Sequence, residues 1–324
     1  MFASLFSSVL VAATTPVAAF DAEAWLAKRE ILAREAERLQ GAYSNCVARL
    51  ERPSENVKIP VETFSDGSIK TFLSASKVML FLDTGLIWAD GVTVEQLSEK
   101  GAVPSRIEAT TGVVDRETKS GWAEGAARLT HEATTFDGEG VYFSSPEGYV
   151  AVHGKTRVVS KDLRFGDPTG QTKRMAQTRD ARLLGGTDES LVITSVRCDL
   201  DRDERVVLFD GDVRVLYAKA YTLDADRVFV FLSEANDLAR IEATGHVSIT
   251  NEQRSGSCAR AVFRREVGEI EMFGEPGGEA AHLQEADGNA VDGSRIKFWL
   301  DAEQVEVVDS VLTVKTTKGD LKKL

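Results

Sequence analysis

Apolar and polar residues alternate in short segments along most of the chain after Pro60. In each segment two apolar residues stand two positions apart, so both side chains face the same side of a β-strand. The residue between them is often charged, as Glu108, Arg214 and Glu271 are. This pattern predicts antiparallel sheets with one buried face and one wet face. The segments are Val92–Val94, Ile107–Ala109, Val141–Phe143, Val150–Val152, Val213–Val215, Val228–Val230, Ile241–Ala243, Val247–Ile249, Ile270–Met272, Ile296–Phe298 and Val305–Val307.

Turn-forming residues separate these segments. Gly, Asp, Asn and Ser recur roughly every 8–15 residues, a spacing typical of hairpins. A parallel sheet needs crossover helices between its strands, and this spacing leaves no room for them. The pattern therefore predicts an all-β protein and excludes a parallel α/β sheet.

One helix is predicted before the strands, from Asp21 to Gln40. Asp21 is a favourable residue at a helix start, and Gly41 can end the helix. Its apolar face contains Trp25, Leu32 and Leu39, and its opposite face contains Lys28, Arg29, Arg34, Glu35 and Arg38. Such a helix can pack on a sheet of the same protein, pair with a partner or lie on a membrane surface. Packing within the protein is the default expectation.

Residues 1–19 contain no charged side chain. The apolar run from Leu5 to Ala13 has the length of the hydrophobic part of a signal peptide, and Pro16 ends it. Val17 and Ala19 are small residues at the two positions that a signal peptidase reads. We therefore expect cleavage after residue 19 and export of the rest. An uncleaved inner-membrane anchor is the alternative, although this stretch is rich in Ser, Thr and Ala.

An internal repeat divides the strand-rich region. Residues 106–110 and residues 240–244 both read Arg-Ile-Glu-Ala-Thr. An Asp-Gly segment precedes each copy, at 90–91 and 210–211, and another follows each copy, at 137–138 and 292–293. Three elements in the same order indicate a duplicated β-module, with chance similarity between β-rich segments as the alternative.

The charge of the chain limits the kinds of ligand that it can bind. The formal net charge is −12, which argues against nucleic acid, because a nucleic-acid surface needs concentrated Lys and Arg. Residues 161–189 are polar and form either a solvated linker or a basic cluster that meets lipid phosphates. The basic residues of this segment are Lys161, Arg164, Lys173, Arg174, Arg179 and Arg182.

The sequence contains no signature of catalysis. GxSxG, HExxH, P-loop and GxGxxG motifs are absent. No histidine has a second ligand at a metal-binding spacing, so each is interpreted as a surface or turn residue. The histidines are His131, His153, His246 and His282. We expect no enzyme, no metal and no cofactor.

Two further sets of residues could bind calcium or form a disulfide. Acidic pairs at strand spacing could bind calcium, although no loop of further oxygen ligands accompanies them. These pairs are Asp199/Asp201 and Asp224/Asp226. Three cysteines, Cys46, Cys198 and Cys258, are too few for a disulfide scaffold. Cys198 and Cys258 could pair if their strands are neighbours, and otherwise they remain buried thiols.

In the second half, several short sequence elements follow one another in an order that resembles a known protein family. Asp-Gly-Asp-Val at 210–213 and Asp-Ala-Asp at 224–226 are followed by Glu-Ala-Thr-Gly-His-Val at 242–247, Gly-Glu-Pro at 274–276 and Asp-Gly-Ser-Arg-Ile at 292–296. This order resembles the OstA-like lipopolysaccharide-transport family, which includes the periplasmic LptA and LptC proteins and the periplasmic domain of LptD. The resemblance covers about residues 190–310 and, more faintly, 65–160.

The resemblance implies an all-β fold of two tandem, folded-over antiparallel β jelly-roll modules, each open along one edge, after an N-terminal helix. The expected domains are a signal peptide (1–19), the helix and a linker (20–60), a divergent first module (61–160), a polar linker (161–189), a second module (190–315) and a basic tail (316–324).

The resemblance also implies a binding site, an apolar trough inside the folded sheet that holds acyl chains. Burial of each methylene group contributes roughly 0.8 kcal/mol, so no precise polar geometry is needed. Alternation alone fits a closed sandwich core equally well. The candidate trough residues are Val213, Val215, Val228, Val230, Ile241, Val247, Ile249, Ile270, Ile296 and Phe298.

We therefore expect a periplasmic, non-enzymatic protein of lipopolysaccharide transport or assembly. Its expected partners are lipopolysaccharide or a similar lipid and other lipopolysaccharide-transport components. Further copies could dock head to tail through Val305–Val307 and Leu312–Val314, unless the Lys-rich stretch from Lys315 to Lys323 blunts that edge. The alternative is a structural envelope protein with closed sandwiches that binds proteins or glycans and no lipid.

Overall fold

The computed structural model describes residues 20–96, 105–131, 134–160, 191–217, 221–233, 238–299, 305–309 and 311–313. These residues form one long helix, a short 3₁₀ turn (Arg265–Val267) and 19 β-strands that pair antiparallel. The predicted all-β class with one N-terminal helix is confirmed. The expected signal peptide, the basic cluster of the polar linker and the basic tail lie outside the described residues.

Helix α1 spans Ala22–Ala48. Each alternating segment named above lies inside a strand. The strands are β1 (Ser54–Thr63), β2 (Ile69–Phe81), β3 (Leu86–Gln96), β4 (Ser105–Asp115), β5 (Ser120–His131), β6 (Thr134–Ser144), β7 (Tyr149–Ser160), β8 (Leu191–Ser195), β9 (Arg197–Asp201), β10 (Val206–Tyr217), β11 (Tyr221–Leu232), β12 (Leu238–Thr250), β13 (Arg254–Arg264), β14 (Glu269–Phe273), β15 (Ala281–Glu285), β16 (Ala290–Gly293), β17 (Arg295–Trp299), β18 (Val305–Val308) and β19 (Val311–Thr313).

The chain divides into two compact units. The first unit contains α1, β1 to β6, most of β7, and β9, whereas the second contains β8 and β10 to β19. Each unit holds one copy of the Arg-Ile-Glu-Ala-Thr repeat, in β4 and in β12. Strand β9 belongs to the first unit although it follows β8 of the second, so the units are interleaved along the chain.

In the first unit β1 to β6 form a meander in which each strand pairs with the next. Strand β7 pairs with β9. The sequence predicted strands only after Pro60. Strand β1 begins before it, at Ser54. Pro60 lies opposite Phe72 and is followed by register shifts. Among the described strands β1 pairs only with β2, and such an edge position tolerates a residue that has no N–H to donate.

Helix α1 packs within the first unit, as expected, against β3, β4 and β5. Asp21 caps it by accepting hydrogen bonds from the backbone N–H groups of Glu23 and Ala24, and the predicted apolar face of Trp25, Leu32 and Leu39 is buried. The predicted end at Gly41 is wrong, because the next position on the same face, Cys46, is also buried and the helix continues to Ala48. Among the described helices, none is long and apolar enough to cross a membrane.

The second unit is a sheet folded over on itself. Strands β10 to β13 pair in sequence. The register skips at Gly211–Asp212 and at Gly245–His246, where the backbone φ angles are 80°, 47°, 77° and 46°. Strand β13 then divides its partners, since residues 260–264 pair with β14 and residues 254–257 pair with β15.

These bends create two layers. Layer A consists of residues 206–210, 227–231, 240–244 and 260–264 of β10 to β13, followed by β14, β17 and β18. Layer B consists of β8, then residues 213–217, 221–225, 247–250 and 254–258 of the same four strands, followed by β15, β16 and β19. The bends between the layers define the fold line.

Candidate functional site

The inner face of layer A is apolar across its whole width. Residues that pair across strands point to the same side of a sheet, so the register identifies the face. The row that lies far from the fold line consists of Val207, Val230, Ile241, Phe263, Ile270 and Phe298. The row next to the fold line consists of Phe209, Val228, Ala243, Ala261, Met272 and Ile296.

The inner face of layer B is apolar in the same way. Val213 and Val215 face Ala225 and Leu223 on the neighbouring strand, and Leu223 in turn faces Ile249. The intervening residues point outwards, where exposed Arg214 contacts Asp224 at 2.7 Å. The one-sided burial that the alternation predicts is therefore present in layer B. Layer A also buries residues on its opposite face, among them Leu208, Phe229 and Val262.

The two inner faces pack against each other. Met272 of layer A is fully buried, and a Cβ atom placed on Gly256 of layer B would lie 2.8 Å from its Cε atom. The glycine thus leaves room for the methionine. A cavity of about 80 Å³ remains between the layers on the side away from the fold line. It is lined by Val215, Tyr217, Tyr221, Thr222, Leu223, Ile241, Ala243, Ile249, Ala261, Phe263 and Ile270.

All ten candidate trough residues lie on the inner faces, and all except half-buried Ile249 are buried. Val215, Ile241, Ile249 and Ile270 line the cavity. Val213, Val228, Val247 and Ile296 pack beside the fold line and are at most 1 % exposed. Val230 and Phe298 lie on the far row of layer A, outside the cavity lining. The structure thus separates a tightly packed fold line from a looser outer region.

Sequence reasoning missed several residues of the cavity. Tyr217, Tyr221 and Leu223 continue the inner face of layer B. Their signal was the alternation of Tyr221, Leu223 and Ala225 along β11. Phe263 was obscured because Val262 beside it is also apolar and is buried on the opposite face of the strand. A run of apolar residues hides which of its members face inwards.

The outer face of layer A carries a ladder of ion pairs. Glu271 contacts Arg264 at 2.8 Å and Arg295 at 2.5 Å, and Glu269 contacts Lys297 at 2.7 Å. Burial raises the pKa of Glu269, but Lys297 and Arg264 outweigh it and hold that pKa below its usual value. Because these basic side chains bury Glu271, this outward residue is not accessible to solvent.

The acidic pairs that could have bound calcium are instead bound to other side chains. Asp199 is fully buried and contacts Arg29 and Arg197, each at 2.9 Å, while Tyr149 donates a hydrogen bond to it. Asp201 accepts a hydrogen bond from the Trp25 indole. The second pair contacts Arg214 and His246, through Asp224 and Asp226 respectively. No acidic, histidine and cysteine cluster suited to a metal occurs among the described residues.

Two histidines differ in their surroundings. His246 is exposed at a bend, as expected, and hydrogen bonding to Asp226 raises its pKa. His153 was expected at the surface but lies half-buried in β7, with its ring 5.1 Å from the Trp122 ring. Burial and the nearby Arg197 guanidinium lower the pKa of His153 to about 4.

The three cysteines are free, so Cys198 and Cys258 do not pair. Cys198 lies in the first unit and Cys258 in the second. Burial raises the pKa of the Cys258 thiol to about 12 and raises that of Cys198 well above its usual value. Both thiols are therefore protonated and unreactive at neutral pH while they stay buried.

A comparison with known protein families finds a match that lies mostly in the second unit. Residues 192–304 match the family model described as LptA/(LptD N-terminal domain) LPS transport protein. This segment is therefore similar to the OstA-like lipopolysaccharide-transport family. The resemblance expected from the sequence is thereby confirmed, and the matched segment contains both inner faces of the folded sheet except for the terminal strands.

A solved structure shows a more distant likeness. It is LptH from Pseudomonas aeruginosa, described as the LptA-homologous periplasmic component of the lipopolysaccharide transport device. The two proteins are 12 % identical, and the aligned region covers 39 % of this chain and 95 % of LptH with a TM-score of 0.34.

Proposed function

We propose that this OstA-like protein binds lipopolysaccharide or a similar lipid in the periplasm and serves in its transport or assembly. The acyl chains lie between layers A and B. Its partners in this role are the lipid, other lipopolysaccharide-transport components and further copies of itself. The family match over residues 192–304 supports this function.

The observation that carries the proposal is the apolar cavity on the side away from the fold line. Its lining is almost entirely hydrocarbon and aromatic, and such a surface favours an acyl chain over a polar ligand. The cavity is narrow, so a long chain enters only if the layers separate. The bends at Gly211 and Gly245 supply a hinge, and the far rows move apart while the fold line stays packed.

Photo-crosslinking tests this function in the chain that lacks residues 1–19. A photo-reactive residue replaces Ile241 or Ile249, which line the cavity, and lipopolysaccharide is added. Exposed outward positions Arg214 and Ser257 serve as controls of the same sheet. Glu271 is unsuitable as a control, because it is outward but buried under basic side chains.

We expect lipid crosslinks at the two cavity positions and none at the two outward positions. Circular dichroism of each variant establishes that it is folded. Folded variants without a crosslink at either cavity position would mean that the layers stay closed. The protein would then be a structural envelope protein with a closed core, an alternative that the almost complete burial beside the fold line favours.

Self-association is proposed through the C-terminal strands. Among the described strands, β18 pairs only with β17, and β19 pairs only with β16. Each thus has one edge that could accept a strand of another copy. Analytical ultracentrifugation of the chain and of a chain that ends at residue 304, before both strands, tests this. We expect the mass of the full chain to increase with concentration and that of the shortened chain to remain monomeric.

A further inference from the structure

Arg254 lies at the open side of the second unit, where the two layers are furthest from the fold line. It is the first residue of β13 in layer B. Its guanidinium carbon is 6.0 Å from the centre of the Phe298 ring, which belongs to layer A. Phe298 pairs with Ile270, and Ile270 lines the cavity. The Arg254 side chain therefore spans the gap between the layers, next to a strand that lines the cavity.

Neighbouring residues hold Arg254 in this position. Its backbone N–H donates a 2.6 Å hydrogen bond to the Asn251 side chain, which fixes the start of the strand. Only 16 % of its side chain is exposed. A cation held this close to an apolar cavity needs an anionic partner, because desolvation of an unpaired charge is unfavourable.

Its anionic partner in the structure is weak. Glu285 of β15 approaches the Arg254 guanidinium at 3.4 Å, and 41 % of the Glu285 side chain is exposed. This separation is longer than that of a charge-assisted hydrogen bond, and solvent competes for the partly exposed Glu285 carboxylate. The contact with Phe298 is also long for a cation–π interaction. The guanidinium can therefore exchange both contacts for a better anion.

We propose that Arg254 binds the anionic headgroup of the lipid whose acyl chain lies between the layers. The inference rests on the proposed function and specifies its ligand class, an amphiphile with a phosphate or carboxylate next to its chain. The planar guanidinium donates two parallel hydrogen bonds to either group. When the chain enters, Arg254 leaves Phe298 and Glu285, and the entrance opens at the same step.

Displacement of the neutral fluorescent probe N-phenyl-1-naphthylamine from the full chain measures the effect. The competing ligands are dodecyl phosphate, dodecanoate and neutral dodecyl maltoside, which share one chain length. For Arg254→Gln we expect the affinity for dodecyl phosphate to fall by about tenfold, the usual effect of losing a charge-assisted hydrogen bond. Dodecyl maltoside should bind equally to both proteins.

Two further variants sharpen the test. Arg214→Gln makes the same change of charge on the outer face of layer B and should leave all three affinities unchanged. Glu285→Gln removes the competing carboxylate and should strengthen the binding of dodecyl phosphate by a few-fold. Opposite effects of Arg254→Gln and Glu285→Gln would not arise from a general loss of structure.

The outcomes distinguish this inference from the proposed function. Equal losses for dodecyl phosphate and dodecanoate support recognition of any anionic headgroup, and a loss for the phosphate alone supports recognition of phosphate. If dodecyl maltoside binds but Arg254→Gln leaves the phosphate affinity unchanged, the headgroup role of Arg254 is overturned while lipid binding stands. If no ligand displaces the probe and the probe itself does not bind, both proposals fail.

Discussion

Glycines and left-handed residues in the middle of strands decide where the second unit folds. At Gly245 the φ angle is +77°, and an added Cβ atom would lie 2.2 Å from an Asp226 carboxylate oxygen and 2.8 Å from the Asp226 Cβ atom. His246 follows with φ +46° and contacts the same carboxylate at 2.8 Å. The bend therefore needs a glycine for two reasons, its backbone conformation and the close approach of β11.

Gly245→Ala is expected to destabilise the second unit by about 3 kcal/mol, the sum of a left-handed alanine and a displaced Asp226. Gly277→Ala is the matched control, since Gly277 has φ +74° but nothing within 4 Å of an added Cβ. It should lose only about 1 kcal/mol. Urea unfolding gives both values, and equal losses would show that the contact with Asp226 is unimportant.

Acid should destabilise the first unit through His153. The pKa of His153 is about 4 in the folded protein and about 6.5 in an unfolded chain. As pH falls from 6.5 to 4, the unfolded chain gains a proton that the folded protein does not, so stability is lost in that window. We expect a loss of about 2 kcal/mol. His153→Gln should lose less over the same range, and identical urea unfolding profiles from pH 7 to pH 4.5 would refute this.

The sequence could predict that the ten candidate residues share the inner faces, because strand periodicity determines which residues lie on one side of a sheet. Ile241 and Ile270, for example, lie in one row of the sheet, two strands apart, and both line the cavity. The distance between the layers could not be found. It depends on pairs such as Gly256 and Met272, which are distant in sequence and have no local pattern. Whether the faces enclose a cavity is thus a property of the fold.

At the scale of elements, helix α1 is attached to the first unit by buried ion pairs at its N-terminal half. Arg29 contacts fully buried Asp199 at 2.9 Å, and Lys28 contacts Asp201 at 3.0 Å. Both aspartates lie in β9. Sequence reasoning placed the apolar face of the helix correctly but could not connect it with β9, because ion pairs that span about 170 positions leave no local signal.

Arg29→Gln should destabilise the first unit by about 2 kcal/mol. Removing one partner of a buried pair leaves the other underpaired, although Arg197 and Tyr149 still contact Asp199. Arg34→Gln, an exposed position of the same helix, should change stability by less than about 0.5 kcal/mol. Tryptophan fluorescence during urea unfolding measures the difference, and equal stabilities would show that the pair is dispensable.

The same helix contains a residue that can be improved. Gly41 looked like a helix end, yet it lies in the helix interior with nothing within 4 Å of an added Cβ atom. Alanine there should stabilise the protein by roughly 0.5–1 kcal/mol, because glycine loses more backbone entropy on folding. A higher urea midpoint for Gly41→Ala would bear this out. A lower midpoint would mean that Gly41 has a role in packing.

At the scale of the whole molecule, the sequence predicted contiguous modules at 61–160 and 190–315. The structure interleaves its units instead, because β9 pairs with β7 of the first unit while β8 pairs with β10 of the second. Alternation predicts that a strand exists but not which distant strand it joins. The repeat places one copy in each unit, and whether both units are OstA-like jelly rolls stays a prediction.

Two cysteines can report on the two units separately. Cys198 is buried in the first unit and Cys258 is half-buried in the second, and a thiol that its neighbours cover reacts faster when its surroundings open. If the units open independently, Arg29→Gln should speed labelling of Cys198 and leave Cys258 unchanged, whereas Gly245→Ala should do the reverse. A loss of about 1.4 kcal/mol corresponds to tenfold faster labelling when opening is at equilibrium.

Labelling with 4,4′-dithiodipyridine followed by mass spectrometry of peptides measures both rates in one sample. Replacing Cys46 by serine leaves only Cys198 and Cys258 to be labelled. Arg34→Gln serves as the control, for which we expect unchanged labelling rates. If either variant accelerates the labelling of both cysteines equally, the units open as one cooperative body. The interleaving of β8 and β9 would then couple them. If each accelerates only its own cysteine, the second unit can widen to admit a lipid while the first unit, with its helix, stays folded.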